Sequence, residues 1–286
     1  MKKALAIILT CSVMMATVAC GGSSTQAPAE EAPAEETQKE DTQEVEAGEP
    51  EAAEAADAAA DAADEPQMVP EDPMTYEEYA AAELDSEVIV RGGIQAKQAY
   101  NAEGDLGHTS VYLQDETGGA YFLYNLPCTE KEYELMEVGK IIKVKGFKSE
   151  WSEEVEVVDA VWQFEDGEYI AEPEDVTDLL GSDELIKKQN KLVSFKGMTI
   201  EPASEDSAEG FKYNWDGSGK DGDDLYFNVS KDGKTYQFTV ESDLCGPDTA
   251  VYEAVKEFKV GNVVDLEGFL YWYEGPNPHI TAVVSD

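Results

Sequence analysis

Residues Val111–Cys128 read VYLQDETGGAYFLYNLPC, and after an acidic helical run the chain continues as VGKIIKVKG to Gly146. The same plan returns at Leu225–Gly268, as LYFNVSKDGKTYQFTVESDLC, a second such run, then VGNVVDLEG. Each copy is rich in β-branched and aromatic residues, turns at a Gly-Gly or Asp-Gly step, and resumes. It then shifts to helical spacing before a last strand-like segment. An internal repeat sets the architecture before any single element is read: the chain carries two copies of one unit.

The flanks extend each copy. Thr75-Tyr-Glu-Glu78 and Thr129-Glu-Lys-Glu132 fit capping boxes, which predicts a short helix from Tyr76 to about Leu84 and another ending at Met136. Val176–Lys188 is expected to form a comparable helix ahead of the second copy. Strands are expected over Glu87–Ala99, Thr109–Leu113, AYFLYNL at Ala120–Leu126, Lys140–Lys148 and Glu154–Phe164. Gly92-Gly93 marks a bend in the first of these. The second copy predicts strands at Leu192–Ile200, Leu225–Ser230, Tyr236–Val240, Asn262–Tyr271 and His279–Val284, with a helix over Asp248–Phe258. Gly197 stands where Gly92 does, and Lys231-Asp-Gly-Lys234 carries a hairpin signature.

Three strands, a helix, then two more strands is the order of the OB-fold, a five-stranded Greek-key barrel that this chain resembles from roughly Thr75 to Asp286. The expectation is a mainly β chain of two tandem OB-fold-like barrels, at 74–166 and 172–286, each with a short helix between its third and fourth strands. An SH3-like barrel or two β-sandwich halves is the alternative. OB-folds bind oligonucleotides, oligosaccharides or proteins through the barrel face and the loops joining strands one to two and four to five.

Composition narrows the partners. Among 286 residues, 62 are Asp or Glu and 20 are Lys or Arg, for a formal net charge of −42. Such a chain repels phosphate backbones and anionic lipid head groups, so nucleic acid is excluded as an expected partner. Arg91 is the only arginine, and bidentate phosphate recognition prefers arginine.

Residues 1–19 place Lys2 and Lys3 before an apolar run too short to span a membrane comfortably, which reads as an export signal. At its end Thr17-Val18-Ala19-Cys20, followed by Gly21-Gly22, resembles the lipobox of bacterial lipoproteins, although Thr17 stands where leucine is usual. The resemblance implies cleavage before Cys20 and a lipid on that cysteine, hence a membrane-anchored protein on the extracellular face. An ordinary cleaved signal peptide is the alternative. Residues 20–73 are Ala, Glu, Asp, Pro and Ser with almost no large apolar side chain, the composition of a disordered acidic tether. The segments YEEYAAAELDSEV, IQAKQAY and FKSEWSEEVEVVDA are similar to uncharacterised OB-fold lipoproteins of gut Firmicutes, a likeness that implies no activity.

Aromatic residues concentrate near the predicted loops: Tyr100 and Trp151 in the first unit, Tyr213, Trp215, Trp272 and Tyr273 in the second. They are candidates to stack on a sugar or a partner's side chains. Equally, aromatic residues suit half-buried strand ends. Asn214, Asp216 and Ser218 place oxygen donors at alternate positions, as at the start of a calcium loop, but Leu225 stands where the closing glutamate should be. A solvated acidic loop is the simpler reading, and no other cofactor is implied. Cys128 and Cys245 follow the third strand of each copy and read as small apolar residues at equivalent core edges. Neither His108 nor His279 has a triad context. Acidic pairs such as Glu153-Glu154 read as solvated face. The expected role is therefore non-enzymatic binding of an extracellular carbohydrate or protein. The alternative is a structural or assembly component of the envelope that binds a partner protein.

Overall fold

The computed structural model describes Val69, residues 71–104 and residues 106–284. The predicted leader, Cys20 with its predicted lipid, and nearly all of the predicted tether lie outside the described residues. Both barrels belong to one compact unit, Ala59–Asp286.

Local sequence starts the first barrel. The Thr75 hydroxyl accepts the Glu78 N–H at 3.2 Å while the Glu78 carboxylate accepts the Thr75 N–H at 2.9 Å, and this reciprocal cap opens helix α1 (Tyr76–Ala81). Strands β1 (Glu87–Lys97), β2 (His108–Gln114) and β3 (Ala120–Pro127) follow, then helix α2 (Glu130–Leu135), β4 (Lys140–Trp151) and β5 (Glu154–Glu168). They close in the order β1-β2-β3-β5-β4, with β4 pairing back onto β1. Only β3 and β5 run parallel. Inside sit Val88, Val90, Val111, Leu113, Leu123, Ile142, Val144 and Val157, all fully buried. At one end Tyr79 of α1 packs edge-on against Tyr121, ring centres 4.9 Å apart. The Lys148 ammonium donates to the carbonyls of Tyr79, Ala80 and Ala82, satisfying acceptors that the end of α1 leaves open.

The second barrel repeats this closure. After β6 (Glu174–Asp175) come β7 (Leu192–Glu201), β8 (Lys212–Tyr213), β9 (Leu225–Lys231), β10 (Lys234–Val240), α3 (Ala250–Lys256), β11 (Val263–Phe269) and β12 (His279–Val284). The order β7-β11-β12-β10-β9 closes through β7–β9, and β10 and β12 are the parallel pair of the barrel. The predicted pair of five-stranded barrels with a helix between strands three and four is thus what forms. The repeat extends to register: Gly146 lies opposite Val88 and Gly268 opposite Val193, each the second residue of its barrel's first strand. A side chain at Gly268 would sit 2.1 Å from the His279 carbonyl oxygen, so only glycine lets these strands approach. The predicted hairpin holds too, with Asp232 and Gly233 at φ 51 and 78, both in the left-handed region that this two-residue turn requires.

One expectation is corrected. Val176–Lys188 is not a helix but two 3-10 turns, Thr177–Leu179 and Leu185–Lys188. Gly181, at φ +74, breaks the run between them.

Candidate binding site between the two barrels

In the first barrel one row of side chains crosses β2, β3 and β5: Tyr112 lies opposite Phe122, and Phe122 opposite Glu156. Their neighbours Val111, Leu123 and Val157 point into the core. Because a strand alternates faces, the row points outward. A barrel's outside normally meets water, yet Tyr112 is fully buried and Phe122 is 3% exposed.

The second barrel covers them. Phe269 stacks on Tyr112 with ring centres 4.2 Å apart, and Tyr271 meets Phe122 edge-on at 5.6 Å. Polar contacts frame this apolar seam. The Trp272 backbone N–H donates to Glu154 Oε2 at 2.9 Å and its indole N–H to Glu153 Oε2 at 3.1 Å. The Gln189 amide donates to the Glu153 carbonyl at 2.8 Å, the Asn190 amide to the Val155 carbonyl at 3.0 Å, and the Leu192 N–H to Gln114 Oε1 at 3.1 Å. The reading of Glu153-Glu154 as solvated face holds for the exposed Glu153 and is corrected for Glu154, which is fully buried. It does lie on the barrel's outer face, but that face is covered.

Beside the seam the barrels part around a cavity of about 670 Å³. The loop between β1 and β2 supplies Gln98, Tyr100 and Asn101. The tip of the β4–β5 hairpin supplies Trp151, and the outer face Ser110, Phe122, Tyr124 and Glu156. Glu241, Asp243, Tyr271 and His279 come from the second barrel, and among the described residues no lysine or arginine lines the space.

Burial sets the charges here. The Gln98 amide donates to Glu241 Oε1 at 2.7 Å, but desolvation, helped by Asp224 and Asp243, pushes that carboxyl up to about 7. Burial pushes His279 down to about 3, so its ring is neutral. Its Nδ1 lies 3.1 Å from the Tyr112 hydroxyl and 3.5 Å from Glu241 Oε2, the latter a polar contact and not an ion pair. Glu156 is 6% exposed; its carboxyl is raised by burial alone, with no hydrogen bond opposing it. Desolvation pushes Glu154 up to about 8, against the hydrogen bond it accepts from the Trp272 N–H. Glu154 Oε1 and Asn190 Oδ1 are both buried without a partner.

The aromatic candidates separate into groups. Tyr100 and Trp151 line the cavity. Tyr273, half exposed, packs on Trp151 at 5.2 Å and so meets it across the two barrels. Trp272 is 8% exposed, held in the seam. Tyr213 and Trp215 lie apart, near β8: Tyr213 packs on Phe211 and bonds Asp221, while Trp215 is 71% exposed. Of the proposed calcium donors, Asp216 turns its Oδ1 to the Ser218 N–H at 2.9 Å, closing its own loop, and Asn214 adopts φ 56. Cys128 and Cys245 are free and buried, one in each barrel.

Glu156, Glu241, Tyr271 and His279 were not singled out from sequence. A signal was present: VYL in β2 and YFLY in β3 are apolar at successive positions, and a strand apolar on both faces is covered on both.

No family model matches the chain, and no curated protein matches it. Solved structures of low identity do. An Ifi202 HINa domain in complex with a 20-base-pair double-stranded DNA shares 10% identity at a TM-score of 0.33, covering 68% of this chain and 94% of that one. The single-stranded DNA binding protein from Thermus aquaticus shares 15% at a TM-score of 0.24, covering 70% and 92%. A replication protein A heterotrimer bound to single-stranded DNA shares 12% at 0.29, covering 72% and 52%. Superpositions of this size carry no argument about ligand. The assignment to tandem OB-fold-like barrels rests on the strand order and pairing.

Proposed function

We propose that this protein acts by binding, and that an extracellular carbohydrate occupies the cavity between its barrels. The carrying observation is the lining itself: aromatic rings from both barrels, amide and hydroxyl groups, carboxylates, and, among the described residues, no lysine or arginine. Aromatic faces suit the apolar faces of sugar rings, amides and carboxylates suit their hydroxyls, and the negative field disfavours anionic ligands. The two loops on which OB-folds hold ligands, one to two and four to five, supply walls from the first barrel. In this reading Cys20 carries a lipid, residues 20–73 form the tether, and the barrels stand outside the cell membrane. An envelope-assembly role is the second reading, favoured by the exposed Leu135 and Phe164, which line a shallow hollow beside Lys140; a partner protein would cover them.

A glycan array probed with the full chain is the test. Binding that weakens about fivefold to tenfold in both Trp151→Ala and Tyr124→Ala is the expected result. Silence across the array, or binding indifferent to both changes, sinks the carbohydrate reading.

A further inference from the structure

We propose that the cavity seats an ammonium group of its ligand, with the Glu156 carboxylate as counter-charge and Tyr124, Trp151 and Tyr271 as aromatic walls. This rests on the carbohydrate reading above and narrows it to an amino sugar whose nitrogen is not acylated.

Glu156 stands on β5 beside Phe122, at the edge of the seam, where the register of the parallel pair fixes its direction outward. It is more than nine-tenths buried, and among the described residues its carboxylate has neither a hydrogen-bond nor an ion-pair partner. A mostly buried carboxylate without a protein partner is unfavourable, and the solvent access its oxygens keep is placed at the cavity Glu156 lines. Whatever completes it therefore arrives through that cavity. The Gln98 amide donates to Glu241 and not to Glu156, and the Ser110 hydroxyl accepts the Asn125 N–H at 3.3 Å.

A ligand hydroxyl can pair with Glu156, but an ammonium group does so through a charge-assisted bond, which is about twice as strong. The surroundings reinforce that difference. Asp243 adds a carboxylate from the second barrel, and among the described residues no lysine or arginine of the lining opposes it. Tyr124 and Trp151 remain 45% and 54% exposed, and aromatic faces attract cations. Tyr271 brings a further ring to the lining from the second barrel. A bare metal ion fits less well, since hard cations require several oxygen ligands. No group of three or more His, Cys, Asp or Glu side chains is placed to hold a metal among the described residues.

The test is calorimetric titration of the full chain near neutral pH with three tetrasaccharides: glucosamine, N-acetylglucosamine and glucose. The glucosamine tetramer is expected to bind at least about tenfold tighter than the other two. Glu156→Gln should abolish that preference, so that it binds the three tetramers within about threefold of one another, with an unchanged near-ultraviolet circular dichroism spectrum reporting an intact fold. Equal binding of all three tetramers overturns the ammonium site and leaves the carbohydrate reading standing. A preference for the amine that survives in Glu156→Gln also overturns it. Silence toward all three overturns it as well, and the glycan array then decides the broader reading separately.

Discussion

The two barrels carry the same residues at matching places and put them to different uses. Gly146-Phe147 and Gly268-Phe269 occupy one position of the repeat, yet Phe147 is 43% exposed and Phe269 is 2% exposed. The rows across the second, third and fifth strands differ similarly: Tyr112, Phe122 and Glu156 in the first barrel, Tyr226, Thr239 and His279 in the second. Inside each barrel the repeat is kept, because close packing constrains volume and the alternation of faces. Outside, each copy was free to change. The first became an apolar docking face, and the second supplied the rings that cover it. The site between them is a product of that divergence.

The comparison breaks most sharply at the two phenylalanines. Phe269→Ala removes a ring stacked in a dry seam and should lower stability by about 3 to 4 kcal/mol. Phe147→Ala, at the matching exposed position, should cost less than about 1 kcal/mol. Urea unfolding followed by tryptophan fluorescence measures both. Similar costs for the two changes would mean that the barrels do not dock through Phe269 in solution.

Next in size is the pH response of the seam. Below about 4.5, the ordinary value, Glu154 is protonated in both the folded and the unfolded chain and contributes nothing. As pH rises, the unfolded carboxyl ionises first, while the folded one keeps its proton until about 8. The unfolded state then binds fewer protons, so stability falls through that window at up to about 1.4 kcal/mol per pH unit. Glu241 adds a like term up to about 7, and repulsion within so acidic a chain slopes the same way. Glu154→Gln isolates the first contribution. The variant can still accept the Trp272 N–H and carries no charge at any pH. It should gain on the unaltered chain steadily between pH 5 and about pH 8. A difference that stays flat with pH would show Glu154 titrating as a solvated carboxyl.

Much of the barrel pair was legible in the sequence because its signals are local. Capping boxes at Thr75 and Thr129, the Asp232-Gly233 turn and the alternation of Val88, Val90, Val144 and Val157 act within a few residues, and they agree with the tertiary structure. The failures have a common physical origin. Val176–Lys188 has helical spacing, but Gly181 and packing against the second barrel divide it into two turns. Glu154 and Glu156 alternate with valines as a half-solvated strand should, and nothing nearby in sequence says that residues over a hundred positions later will cover them. Tyr100 and Trp151 were legible as site residues because loops between particular strands converge by topology. The burial of Trp272 and the gathering of Glu156, Glu241 and His279 depend on docking, which no local pattern encodes.

The smallest expected effect concerns the loop that differs most between the copies. Gln98–Gly107 joins the first two strands of barrel one and forms part of the cavity wall, whereas residues 202–224 are more than twice as long and carry Trp215 outward. At 71% exposure that ring has little packing to lose, so Trp215→Ala should shift stability by no more than about 0.5 kcal/mol. If the cavity is the site, the same change should leave glycan titrations unaltered, even where Trp151→Ala weakens them. Loss of binding on Trp215→Ala alone would transfer the site to the second barrel's own loop. The divergence between the copies would then lie in which barrel kept an open binding face, with the seam serving only to join them.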